Sequence, residues 1–143
     1  MTRINSAISV QRLTDEHLLA EHREIKRLPA CLNRSLQSGK PLNIPPHFTL
    51  GKGHVTFFYD KMLFVKKRYQ ELHQECLKRG FTVSNFASNF DRVPQQYLND
   101  YVPTEEERKL LENRITERFL SSKKESWHYC KQKVCEPLID AHT

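Results

Sequence analysis

Residues 14–38 read T-D-E-H-L-L-A-E-H-R-E-I-K-R-L-P-A-C-L-N-R-S-L-Q-S, and the rest of the chain is organised around this stretch. Thr14 carries a hydroxyl suited to capping a helix, Asp15 and Glu16 complement a positive first turn, and Gly39 can close the far end in a left-handed turn. At about 100° per residue, Leu18, Ile25, Leu28, Leu32 and Leu36 share an arc of roughly 80°, the core-facing stripe of an amphipathic helix. Pro29 removes an i to i−4 hydrogen bond and predicts a kink near residues 25–28. Glu21 points into the apolar arc, where a carboxylate needs an Arg, a Lys or backbone N–H groups as partner. Beside the stripe lie His17, Arg23, Glu24 and Arg27, a strip carrying two guanidinium groups, an imidazole and a carboxylate.

Working outward, residues 1–13 lack periodicity and read as an extended segment packed against the helices. Residues 39–53 hold three prolines and three glycines, the composition of a connecting loop. A second helix is predicted over about residues 62–79, with Phe58, Met62, Val65, Tyr69, Leu72, Cys76 and either Phe64 or Leu77 as its apolar stripe and Gly80 as its stop. Residues 81–103 read as an ordered, irregular loop. T-E-E-E at 104–107 is a capping box, in which Thr104 caps a third helix and Glu107 reaches back. That helix runs to about Ser122, turns Leu111, Ile115 and Phe119 inward, and sets Arg114 and Arg118 one turn apart. Three main helices with long loops and no convincing strand pattern make the expected fold class all-α, a single domain over residues 1–143. Residues 126–143 form its basic and aromatic tail, in which Trp127 and Tyr129 serve either as a core plug or as a contact for a partner.

The chain has 143 residues, 23 Lys and Arg against 17 acidic residues, and a net charge of +6, which favours a polyanionic partner over an acidic small molecule. A merely basic protein with no such partner is the plain alternative. Cys31, Cys76, Cys130 and Cys135 include no C-x-x-C pair and no histidine at zinc spacing, so reduced thiols, no disulfide and no metal are expected. Without an apolar run of membrane-spanning length or a signal-peptide pattern, the protein is expected to be soluble and intracellular.

The start M-T-R-I-N, E-H-L-L-A-E-H-R-E at 16–24, L-G-K-G-H-V-T-F-F-Y-D-K at 50–61 and E-C-L-K-R-G-F at 75–81 resemble the bacteriophage pyrimidine-dimer DNA glycosylase/AP lyase family. D-Y-V-P at 100–103 is a further landmark, and the likeness fades beyond Trp127. The resemblance implies an all-α protein with its N-terminal segment between helices. It also implies excision of cyclobutane pyrimidine dimers from damaged double-stranded DNA, followed by nicking at the abasic site. As the resemblance has it, the nucleophile is the α-amino group of Thr2, exposed by removal of Met1, and the catalytic carboxylate is Glu24. Arg3, His17, Arg23, Arg27 and Arg114 match its DNA-binding positions, Arg118 stands where the family has a lysine, and Trp127 belongs to its aromatic tail. No cofactor, no metal, no membrane, no obligate protein partner and a monomeric state go with this reading. His54 and Asp60 lie in a matching motif and are expected to fix the start of the second helix.

The chemistry fits these residue types. An α-amino group of pKa about 7.8 is roughly 10–15% neutral at pH 7, against about 0.04% for a lysine, so it is the better amine for an imine-forming lyase. Attack at the sugar C1′ displaces the base and leaves an imine that acidifies the C2′ protons for β-elimination. An ionised Glu24 can stabilise positive charge at the sugar and then relay a proton, and flanking Arg23 and Arg27 favour its anionic form. Two alternatives remain at this level: a non-enzymatic helical DNA-binding protein on the same scaffold, and a glycosylase/lyase for another lesion.

Overall fold

The computed structural model describes residues 3–121 and 127–134; Thr2 and Cys135, singled out above, lie outside them. Among the described residues, five α-helices, three short 3-10 turns and one hairpin make up the regular structure. The helices and strands are α1 (Asp15–Glu24), α2 (Arg27–Gln37), α3 (His54–Phe57), α4 (Met62–Lys78), α5 (Glu105–Ser121), β1 (Trp127–Tyr129) and β2 (Gln132–Val134). The fold is predominantly helical, as expected.

The first helix differs from the expectation in one respect: it is two helices. The Thr14 hydroxyl caps α1 by accepting from the His17 N–H at 3.3 Å, and Gly39 turns at φ 73° after α2. Between them, Ile25 and Lys26 leave the helix, and the Leu28 N–H bonds the Ile25 carbonyl in a tighter i to i−3 step. Pro29 has no N–H for that carbonyl and its ring crowds it, so the predicted kink becomes a break. The stripe itself is intact, with Leu18, Ile25, Leu28 and Leu32 fully buried.

On α4 the buried face is Met62, Val65, Tyr69, Leu72 and Cys76, joined by Phe58 just before it; Leu77 faces solvent and Phe64 packs half-buried on the core. The N-terminal segment runs between α1, α4 and α5 and contributes Ile4, Ile8, Val10 and Leu13 to the core, with one 3-10 turn at Val10–Arg12. Thr104 caps α5 by accepting from the Glu107 N–H at 3.2 Å. Only half of the capping box forms: the Glu107 carboxylate accepts from the Tyr101 hydroxyl rather than reaching back to the Thr104 amide.

The tail corrects the expectation of no strands. Trp127 pairs with Val134, His128 with Lys133 and Tyr129 with Gln132 in an antiparallel hairpin whose first strand packs on α1. Among the described residues, no helix is long and apolar enough to cross a membrane.

Candidate active site

A cleft of about 230 Å³ opens where the N-terminal segment, α1, α5 and the hairpin meet. Its floor is a chain of buried polar groups. Glu21, in the apolar arc of α1, accepts from Arg68 Nε at 2.7 Å and Nη2 at 3.0 Å, and from the Asn5 side-chain amide at 3.1 Å. Asn5 in turn accepts from Arg114 on α5, and Arg68 also donates to the Ile8 carbonyl. The partner that Glu21 requires is therefore a two-point guanidinium clamp from α4, with both side chains 4% exposed or less. These bonds tie three helices to the N-terminal segment.

His54 holds the same segment from the other side. Its Nδ1–H donates to the Thr49 carbonyl at 2.8 Å, and its Nε2 accepts from the Ile4 N–H at 3.0 Å. Both bonds require the neutral ring, and burial holds its pKa below the ordinary histidine range although the Thr49 carbonyl pulls the other way. His54 was expected to organise the start of the second helix; its nearer effect is to fix the backbone two residues from Thr2. Asp60, its companion in the motif, pairs with Lys61 at 2.9 Å.

Three of the predicted cations line the cleft: Arg3, Arg114 and Arg118. Arg114 is half-buried, its Nε has no hydrogen-bond partner among the described residues, and burial together with the neighbouring Arg3 and Arg118 lowers its pKa to about 10, so it stays charged at pH 7. His17 shares the wall, with Nδ1 2.9 Å from the Thr14 hydroxyl and a buried Nε2 that has no partner among the described residues. Burial first, then Arg114 and Arg118, push its pKa down to about 4, leaving a neutral ring.

Trp127 stacks on His17 with centroids 4.7 Å apart and planes 11° apart, and on Phe119 of α5 at 5.4 Å. At 8% exposure it is part of the packing and of the cleft wall together.

Glu24 lines the cleft half-buried, its Oε2 3.1 Å from Arg27 Nε in an ion pair that lacks hydrogen-bond alignment. Arg23 on α1 and Arg27 at the start of α2 are exposed and lie outside the lining. Thr2, the predicted nucleophile, lies outside the described residues. Sequence reasoning passed over Asn5, Arg68 and Glu16, all of which shape the cleft or its floor. The unmet need of Glu21 was the signal that could have led to Arg68.

An arginine-lined cleft built around an anchored N-terminal segment, with the Glu24 carboxylate among its lining, defines a protein of anionic-substrate chemistry on a helical scaffold. The family model described as pyrimidine dimer DNA glycosylase matches residues 1–89, and the chain belongs to that family. It is a DNA glycosylase whose substrate is DNA carrying pyrimidine dimers. The matched segment includes Arg3, His17 and Glu24 but ends before Arg114, Arg118 and Trp127.

Proposed function

We propose that the cleft excises the dimer and then nicks the strand at the resulting abasic site, with the α-amino group of Thr2 as nucleophile and Glu24 as the catalytic carboxylate. The observation that carries this reading is the shared position of Glu24 and the N-terminal segment: the carboxylate faces the cleft that Arg3 and Asn5 also line. Covalent geometry keeps the Cα of Thr2 about 3.8 Å from that of Arg3. Cations nearby lower the pKa of an amine and so raise its neutral fraction at pH 7.

In the first step the amine nitrogen bonds C1′ while the C1′–N bond to the base breaks, and the base leaves with a proton. The Glu24 carboxylate opposes the positive charge that develops at C1′. Ring opening gives the imine, loss of a C2′ proton expels the 3′ phosphate, and water then hydrolyses the imine to free the amine. Arg3, Arg114 and Arg118 hold the flanking phosphates, and the exposed Arg23 on α1 and Arg27 at the start of α2 extend that contact. His17, neutral and with a ring nitrogen that has no hydrogen-bond partner among the described residues, is a hydrogen-bonding group for the substrate rather than a further cation.

The test is borohydride trapping on a duplex bearing one cyclobutane dimer, with undamaged and abasic duplexes as controls. A trapped adduct at the chain's α-amine is expected on the dimer and abasic duplexes. Normal cleavage by N-terminally blocked protein would refute the nucleophile.

A further inference from the structure

We propose that Asp15 is a positioning residue of the cleft: its carboxylate seats the hairpin by accepting both turn amides, and thereby sets Trp127 against His17. The hairpin turns through Cys130 at φ 49° and Lys131 at φ 70°. A two-residue turn with both residues at positive φ normally uses Gly or Asn, because other side chains are strained there. Neither residue is Gly or Asn here. What holds the turn comes from 115 residues away: Cys130 N–H donates to Asp15 Oδ1 at 3.0 Å and Lys131 N–H to Asp15 Oδ2 at 2.7 Å.

Asp15 looks, from sequence, like an ordinary helix-start acid, yet it is 3% exposed and turned toward the tail. Arg79 balances its charge at 3.0 Å, donates to the Leu13 carbonyl at 2.8 Å, and lies 4.1 Å above the Tyr129 ring. Glu16, the next residue, accepts from the His128 N–H at 2.8 Å. Tyr129 completes the seat by donating to the Gln11 carbonyl at 2.8 Å. The hairpin thus docks through polar contacts to the start of α1, and the residue so placed is the one aromatic wall of the cleft on that strand. Its effect on the reaction runs through Trp127, so Asp15 governs discrimination between damaged and intact duplex rather than the bond-breaking steps.

Trp127 is the sole tryptophan, so the full chain's emission reports its seating directly. Asp15→Asn keeps the shape but presents an amide to one of the two N–H donors. Cys130→Val loads the turn from the other side, at an exposed position where a β-branched residue disfavours positive φ. Both variants are expected to shift emission to longer wavelength and increase quenching by acrylamide, with the helical circular dichroism unchanged. Discrimination between dimer-bearing and undamaged duplex should fall roughly tenfold, the scale of one base–aromatic contact. Nicking of a preformed abasic duplex should stay within about threefold, since loss of one stacking contact does not touch the groups that break bonds. Adding Cys130→Gly to Asp15→Asn should restore part of both the emission and the discrimination, because glycine relieves the turn; a helix-capping role for Asp15 would give no such rescue. Unchanged emission in Cys130→Val would overturn the proposal, including where Asp15→Asn fails to fold. So would equal loss of both activities in step with melting temperature. The inference rests on the cleft reading above, and the two fail separately: full activity in Glu24→Gln removes that reading, whereas unmoved Trp127 emission removes only the seat.

Discussion

Glu21 and Glu24 stand one turn apart on α1 and line the same cleft, yet the regions around them are built oppositely. At the floor, Glu21 is 2% exposed and its oxygens are met by Arg68 and Asn5, groups from α4 and the N-terminal segment. At the rim, Glu24 ends α1 half-buried, and its ion pair among the described residues is with one exposed arginine, Arg27, at the start of α2. A buried carboxylate must have its bonds filled or it is too costly to keep charged. A carboxylate that acts on a substrate needs acceptor sites still open. Residue type and helix are shared; the number of bonds already made separates a structural group from the one proposed to react.

The largest break in that comparison is at the floor. Arg68→Ala leaves Glu21 buried without its guanidinium, and is expected to lower stability by about 3–5 kcal/mol, measured by denaturant unfolding. A loss under 1 kcal/mol would mean the floor tolerates an unpaired carboxylate.

At the rim the sign is reversed: Glu24→Gln should leave the melting temperature within a few degrees while lowering dimer excision on the order of 10² or more, with binding retained. Turnover within about threefold of the unmodified enzyme would place the chemistry elsewhere, because removal of a well-placed charged group costs more than that.

The exposed cations sharpen the picture further. Arg118→Ala and Arg23→Ala remove guanidinium groups free of the floor's bonds, so each should reduce the slope of log K against log salt by about 0.9 for damaged and undamaged duplex alike. Arg114→Ala should add a stability loss to the same slope change, since Arg114 also donates to Asn5. Two unaltered slopes for Arg118 and Arg23 would move the DNA surface off this face.

What the sequence disclosed follows the range of the interactions. The Thr14 cap, the Gly39 turn, the leucine stripe and the extent of α4 depend on neighbours within a few residues, and all are where local pattern puts them. Pro29 was legible as a disturbance, but whether a helix bends or breaks depends on packing around it. The Glu21–Arg68 clamp spans 47 residues and the His54 bond to Ile4 spans 50, distances at which no periodicity carries information. The hairpin was hidden for a related reason: W-H-Y-C-K-Q-K lacks the glycine or asparagine that marks a tight turn, and Asp15 supplies from afar what those residues supply locally. Glu24 and the arginines were singled out through family likeness; on composition alone they are an ordinary charged helix face.

The smallest expected effect concerns the histidines that the fold keeps neutral. His22 is 2% exposed, with its Nε2 3.0 Å from His73 Nδ1 and Tyr69 and Phe86 against its ring. Burial, then His73 and Lys26, lowers its pKa to about 4, the value His17 also reaches. Above pH 6.5 these rings are neutral in both folded and unfolded chains and titration contributes nothing to the balance. As pH falls from 6.5 toward 4 the unfolded chain takes up protons that the folded chain refuses, so stability declines across that window and the contribution levels off below it. Each such group can tilt stability by at most about 1.4 kcal/mol per pH unit. His22→Gln keeps a polar group near His73 and removes one titration, so its stability should fall less steeply between pH 6.5 and 4 than the unmodified chain's. Parallel slopes for His22→Gln and the unmodified protein would mean that this histidine is protonated in the folded state and that the cluster around Tyr69 admits a charge.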